Sequence, residues 1–324
     1  MRERRWFIAA STPALLLVAV VAVGQETVIR VNVDLVRVLA TVKDTAGELV
    51  GTLEKQDFSI FDNGAPQDIA VFERRTDQPL SVALLVDTSL STAKELRYET
   101  DSVARFMKAF FAEGNLNDAV ALYSFNYVVT KLSRFTISFP RLDQALKSLR
   151  PEGGTSLYDA IYLAAGELES RRGRKIIVIV TDGGDTTSVK DFHAALQAAH
   201  LADAVIYSIL VMPITNDAGR NIGGENALAT FAAGTGGRVF APSFGEALDS
   251  AFTSILKELR TQYLLAYYPR NVAPTKNRFH KLEVRVNRSE LRVLARNGYY
   301  GEAEPVPGLP GGKVPAGPGK PYGR

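Results

Sequence analysis

Between residues 80 and 260 the chain repeats one pattern: a short apolar run, an amphipathic helical stripe, then another apolar run. The run at 80–86, Leu-Ser-Val-Ala-Leu-Leu-Val, has almost no polar alternation, as a strand covered on both faces requires. Behind it Val103, Phe106, Met107, Phe110 and Phe111 recur at helical spacing and form one apolar face. Further strands are expected at 119–124, 176–181, 204–211 and 238–241, with helices at 156–170, 189–202, 225–233 and 244–259. Such alternation predicts an α/β fold with a doubly wound, mostly parallel, Rossmann-like sheet.

On either side the period drops to two. Residues 28–33 alternate, Asp44-Thr45-Ala46-Gly47 is turn chemistry, and Phe58-Ser59-Ile60-Phe61 leads into Asp62-Asn63-Gly64. Strand patterns resume at 263–268, 282–286 and 291–294. Neither flank has enough strands for a domain of its own, so 26–79 and 262–300 are expected to complete one small β-sandwich, with the α/β unit of 80–261 inserted in it. Two separate appendages would be the alternative. The segment from 301 to 324, with six prolines and seven glycines, has too little apolar surface to offset its ordering entropy and reads as a disordered tail.

Residues 1–5 are basic, 6–23 are apolar apart from Ser11, Thr12 and Pro13, and Ala22-Val23-Gly24 ends in small residues. This predicts an export signal over 1–24, cleaved before Gln25, and a periplasmic, secreted or envelope-associated protein. The competing reading is an uncleaved membrane anchor. The formal charge is +3, and removing the net +2 of the first five residues leaves +1, which argues against nucleic acid as a partner. With no cysteine, disulfide frameworks, thiol enzymes and zinc-thiolate sites are excluded.

In open α/β sheets ligands sit beyond the carboxyl ends of the strands. Three segments there carry chemistry: Asp87-Thr88-Ser89-Leu90-Ser91 after the first strand, Gly153-Gly154-Thr155 before a helix, and Thr181-Asp182-Gly183-Gly184-Asp185 after the strand at 176–181. All the candidate ligands are oxygens. Hydroxyls and carboxylates without imidazole or thiolate suit a hard cation, and few charges suit Mg²⁺ better than Ca²⁺, with Mn²⁺ a further candidate. Asp185 reads as a turn residue, or one that supports the ligands, rather than as a ligand. Taken singly, each piece is an ordinary turn or helix cap; their joint placement around one sheet is the signal.

Asp87-x-Ser89-x-Ser91, Thr155 and Asp182 together resemble the metal-ion-dependent adhesion site of von Willebrand factor type A domains, over about residues 80–260. The flanks, including Tyr263-Leu264-Leu265-Ala266-Tyr267-Tyr268-Pro269 and Arg296-Asn297-Gly298-Tyr299-Tyr300, resemble an exported bacterial subfamily termed VWFA-related, acidobacterial type. The resemblance implies that Ser89, Ser91 and Thr155 contact Mg²⁺ through their hydroxyls, while Asp87 and Asp182 supply charge and orient water. It also implies an open metal position for an acidic residue of another protein, hence binding or adhesion rather than catalysis. A structural or envelope-assembly protein with a vestigial or merely stabilising metal site is the alternative.

Enzyme readings fit less well. A haloacid-dehalogenase-like phosphatase would need a second aspartate where Ser89 stands, and neither a G-x-S-x-G elbow nor a glycine-rich phosphate loop follows the first strand. His193 and His200, seven residues apart on one helix, read as neighbours on a partly exposed face. The tyrosines at 267, 268, 299 and 300 read as sandwich residues with their hydroxyls at the surface.

Overall fold

The computed structural model describes residues 35–74, 77–94, 96–211, 221–243, 246–273, 275 and 277–301. The expected leader, the strand at 28–33 and the tail beyond 301 lie outside the described residues. In chain order the elements are β1 (Val36–Lys43), β2 (Phe58–Asp62), β3 (Ala65–Gln67), β4 (Ile69–Glu73), β5 (Leu80–Asp87), α1 (Leu96–Ala112), β6 (Ala119–Phe125), β7 (Val129–Thr136), α2 (Phe139–Leu146) and α3 (Leu157–Glu169). They continue with β8 (Arg174–Thr181), α4 (Phe192–Leu201), β9 (Ala204–Leu210), α5 (Ile222–Thr235), β10 (Val239–Phe240), α6 (Glu246–Thr261), β11 (Tyr263–Tyr267), β12 (Phe279–Val286), β13 (Arg292–Ala295) and β14 (Gly298–Tyr300).

Every residue of β5, β6, β8 and β9 is buried, which explains their unbroken apolar character. They form a six-stranded sheet in the order β10-β9-β8-β5-β6-β7, parallel except for β7. One face packs on α1, α2 and α6, with Phe106 stacked on Phe252 at 4.8 Å between ring centres. The other face packs on α3, α4 and α5 through Leu85, Ile177, Ile161, Ala195 and Phe231. The chain leaves β5 toward β6 on one side and returns through β8 on the other, so the strand order reverses at β5. That reversal opens a crevice between the loops after β5 and β8.

The α/β fold with a mostly parallel sheet, flanked by a sandwich built from both ends of the chain, is as the sequence pattern predicts. β7 and α2 are additions. β7 is an edge strand paired on one side only, so its half-exposed pattern gives no apolar run. No helix among the described residues is long and apolar enough to cross a membrane.

The sandwich interleaves the two ends of the chain. β1 lies between β11 and β13, with β4 beyond β11, while β2 pairs with β12 and β3 and β14 flanks β12. The two four-stranded sheets close over Val38, Ile60, Tyr263, Leu265 and Leu282. Inside this apolar core sits a carboxylate. Asp62, fully buried on β2, accepts hydrogen bonds from the hydroxyls of Tyr267 (2.8 Å) and Tyr299 (2.8 Å) on one oxygen, and its other oxygen is 3.0 Å from His280 Nδ1.

The expectation that these tyrosines keep their hydroxyls at the surface is therefore corrected for Tyr267 and Tyr299. Their phenols are pushed well above the ordinary range, first by burial and further by Asp62. His200 is also corrected: it is 5% exposed and packs edge-on against Phe279 and Tyr300 of the sandwich rather than lying on an open face.

Because Asp62 joins β2, β11, β12 and β14, its loss strands three buried polar groups without their acceptor. Asp62→Ala is expected to cost about 3 kcal/mol or more and Tyr267→Phe about 1–2 kcal/mol. Urea unfolding of the two variants measures this, and a loss below about 1 kcal/mol for Asp62→Ala would contradict the account.

Candidate metal centre

The site begins with a carboxylate that the sheet itself holds. Asp87 ends β5 and is wholly buried. The last register pair of β5 and β8 is Val86 with Val180, which sets Asp87 level with Thr181, and the Thr181 hydroxyl donates to Asp87 Oδ2 at 2.6 Å. Asp87 Oδ1 accepts the backbone N–H of Ser89 at 2.8 Å. Burial, only partly offset by the Thr181 hydrogen bond, and the nearby charge of Asp182 push the Asp87 carboxyl up to about 7. Among the described residues, no basic side chain is one of the groups that shift it.

Beyond Asp87 the chain makes a short 3-10 turn, Leu90–Thr92. Thr92 pins it by donating its hydroxyl to the carbonyls of Ser89 (3.0 Å) and Asp87 (3.3 Å). The turn brings alternate side chains to one point: the Ser89 and Ser91 hydroxyl oxygens are 2.9 Å apart. Ser89 is buried and Ser91 exposed, so the pair opens outward from the sheet.

Thr155 is placed by backbone. Glu152 N–H donates to the Thr88 carbonyl at 2.8 Å, and Ser156 N–H donates to the Asn126 carbonyl at 2.6 Å, tying residues 152–156 to the ends of both β5 and β6. The turn after β8 closes on the same segment, since the N–H groups of Thr186 and Thr187 both donate to the Thr155 carbonyl and Thr155 N–H donates to the Thr186 hydroxyl. Gly154, at φ +79°, lies where a Cβ would stand 2.8 Å from Tyr127 Cβ. Only glycine allows that approach.

Asp87, Ser89 and Ser91 are thus gathered directly. Asp182, half-buried, is close enough to act on Asp87 electrostatically, and Thr155 is buried on a segment bonded to both neighbouring loops. Asp185 faces away into α3, accepting the N–H of Tyr158 and the hydroxyl of Ser188, in keeping with a turn role. The hydroxyl web of Thr181, Ser156, Thr186 and Thr187 was not singled out in the sequence. Thr181 adjoins Asp182, but its side chain acts across the sheet, and only the strand order reveals that.

These residues fit a divalent cation. Two ligands at right angles on Mg²⁺, each at about 2.0–2.1 Å, stand about 2.9 Å apart. The Ser89 and Ser91 oxygens already have that separation. A buried carboxylate beside a second one, with no cation among its partners, is the electrostatic complement such an ion supplies. The candidate ligand set is hydroxyl-rich; among the described residues no three His, Asp or Glu side chains gather to hold a metal, here or elsewhere.

Residues 82–184 match the family model of the von Willebrand factor type A domain. The chain therefore contains a von Willebrand factor type A domain, and the match runs from β5 through the Asp182 turn, about a third of the chain. Among solved structures, the chain is similar to the vWF domain of the type V pili tip protein Mfa5 from Porphyromonas gingivalis, at 14% identity and TM-score 0.47, covering 56% of this chain and 95% of that one. It is similar to the PilB minor pilin from Streptococcus sanguinis at 15% identity and TM-score 0.45, covering 57% of this chain and 62% of that one. The conserved hypothetical protein BatB from Bacteroides thetaiotaomicron matches at 19% identity and TM-score 0.45, over 56% and 98% of the two chains. No curated protein matches the chain.

The Asp182 turn is also braced by α5. A Cβ on Gly224 would stand 1.5 Å from the Gly183 carbonyl oxygen, whereas one on Gly223 would meet only Asn221 Oδ1 at 3.6 Å. Gly224→Ala is expected to cost about 1–3 kcal/mol by forcing helix and turn apart, and Gly223→Ala less than about 0.5 kcal/mol. Thermal melts of the pair test this, and equal effects would contradict the packing described.

Proposed function

We propose that this protein binds other proteins outside the cytoplasm through a divalent cation, Mg²⁺ or Mn²⁺, held by the hydroxyls of Ser89, Ser91 and Thr155, and that it is not an enzyme. Asp87 and Asp182 provide the negative charge and accept hydrogen bonds from the ion's water. The bound ion would supply a positively charged, oxygen-seeking position facing solvent, suited to an Asp or Glu side chain of the partner. The observation that carries this reading is the buried Asp87 carboxylate, held by Ser89 N–H and the Thr181 hydroxyl beside Asp182, with the paired serine hydroxyls next to it.

Exposed apolar residues rim the same loops and favour a protein partner over a free ion as the end of the story. Leu90, in the turn between the two serines, is 64% exposed, and Tyr127, packed over Gly154, is 57% exposed. Large apolar side chains around a polar centre are the usual make-up of a protein-binding patch. Export, and membership of the VWFA-related subfamily, belong to this same proposal and rest on the leader and on the motifs of the C-terminal flank.

Titration calorimetry with MgCl₂ and MnCl₂ tests the reading. The parent protein is expected to bind one ion, and Asp87→Ala and Ser89→Ala to lose at least about tenfold in affinity, equivalent to about 1.4 kcal/mol each. Equal heats from all three proteins would sink the metal assignment. Because Asp87 tethers the β5 loop to β8, an ion there would also stabilise the fold. If the ion raises the melting temperature while partners from envelope extract bind equally with and without EDTA, the metal is structural and the adhesive role is lost.

A further inference from the structure

The turn between β6 and β7, together with the outer side of α3, carries apolar side chains that the fold leaves in water. Tyr127 is 57% exposed, Val128 49% and Leu163 49%, and Tyr162 is also exposed. The opposite side of α3, through Leu157, Ile161, Ala164 and Leu168, is wholly buried on the sheet. Tyr162 and Leu163 therefore stand where an amphipathic helix is ordinarily polar.

Between α3 and the edge strand runs a groove of about 320 Å³, open to solvent. Val129 and Lys131 of β7 form one wall, and Tyr162, Leu163, Gly166 and Glu167 of α3 the other. Its carboxylate is already satisfied, since Glu167 pairs with Lys131 and accepts the Tyr123 hydroxyl at 2.7 Å. The groove thus offers apolar contact rather than unmet charge. Gly166 leaves part of this space: a Cβ there would meet nothing within 4 Å. Glycine inside a helix costs stability relative to alanine, and no neighbour among the described residues requires it here.

The groove is continuous with the metal centre. Tyr127 N–H donates to the Gly153 carbonyl at 3.1 Å, and the Ser156 hydroxyl donates to the Tyr127 carbonyl at 3.1 Å, so the hairpin turn is fastened to the segment of Thr155. Helix α3 begins two residues after Thr155. At 1.5 Å per helical residue, Tyr162 and Gly166 lie roughly 10–16 Å along it from Thr155. An extended peptide spans that distance with about three to five residues. Lys190, 4.6 Å over the Tyr162 ring, adds positive charge beside the path.

We propose that the partner engages the metal centre and this groove with one extended segment. An Asp or Glu of the segment meets the ion, and an aromatic or leucine-sized side chain about three to five residues away is seated between Val129, Tyr162, Leu163 and Gly166. This rests on the metal-dependent binding proposed above. Two features select such an occupant: the groove opens directly off the metal centre, and a cation at one end with Lys190 beside the other suits an acidic segment carrying an apolar anchor.

A random peptide library displayed on phage, selected on the immobilised whole protein in MgCl₂ and eluted with EDTA, tests this. The enriched peptides are expected to carry Asp or Glu and a large apolar residue at one fixed spacing of about three to five. A selected peptide, synthesised with a fluorescent label, is expected to bind Leu163→Gln and Gly166→Gln at least about fivefold more weakly than the parent. Replacing its apolar residue by serine should weaken binding to the parent about as much, yet change binding to the variants less than about twofold. Both variants should keep the parent's Mg²⁺ heats, and Gly166→Gln should melt at or above the parent. The proposal alone is overturned, with the Mg²⁺ heats intact, if no peptide elutes with EDTA, if the acid is enriched without a spaced apolar residue, or if both variants bind the peptide undiminished. It is also overturned if the groove is covered by a second copy of the chain, seen as a concentration-dependent dimer that Leu163→Gln dissociates. Absence of Mg²⁺ heats from the parent would instead overturn the metal-dependent reading and this proposal with it.

Discussion

The pairing of β5 with β8 is the constraint on which the rest of the site depends. Parallel pairing in this register sets Val86 opposite Val180, which brings Asp87 and Thr181 to the same level at the end of the sheet. From there the Thr181 hydroxyl reaches Asp87, and Asp182, the next residue, comes near enough to raise its pKa. A one-residue slip would turn these side chains to opposite faces. The apolar layers on both sides of the sheet therefore do more than stabilise it. By fixing the register of two wholly buried strands, they hold the Asp87 carboxylate out of water beside Asp182, a pair for which a cation is the natural complement.

Much of this was visible in the chain before the structure. Continuous apolar runs at 80–86 and 176–181 can only be strands covered on both faces, and the helical stripe from Val103 to Phe111 has to pack on such a sheet. Asp87, Ser89 and Ser91 were legible because alternate residues leaving a strand converge. What stayed hidden were contacts made across the sheet or across the two halves of the sandwich. Thr181 looks like the last residue of a strand, and nothing nearby in sequence shows that its hydroxyl meets Asp87. Asp62 looks like the first residue of a turn, although it is the acceptor at the centre of the sandwich, because its donors lie more than two hundred residues away. His200 was misjudged for the same reason: its helical spacing is local, while the Phe279 and Tyr300 rings that bury it come from the C-terminal strands.

The sandwich and the α/β domain use buried polarity differently. In the sandwich, Asp62 is saturated by two phenols and an imidazole, an arrangement that fixes how four strands meet. At the crevice, by contrast, the Asp87 carboxylate is buried beside Asp182 with no cation among its described partners. Saturated polar groups specify a fold. An unsaturated one, at the carboxyl end of the central sheet, is where a partner or an ion lowers the free energy most.

The central claim is that the loops after β5 and β8 and the segment at Thr155 converge on one divalent cation. Its most direct test is X-ray diffraction from crystals grown with MnCl₂, with data collected at the manganese absorption edge. The account predicts one strong anomalous peak within about 2.2 Å of the Ser89, Ser91 and Thr155 hydroxyl oxygens, with water between the ion and the two aspartates. A map with no peak there, or with its only peak elsewhere on the molecule, would contradict it.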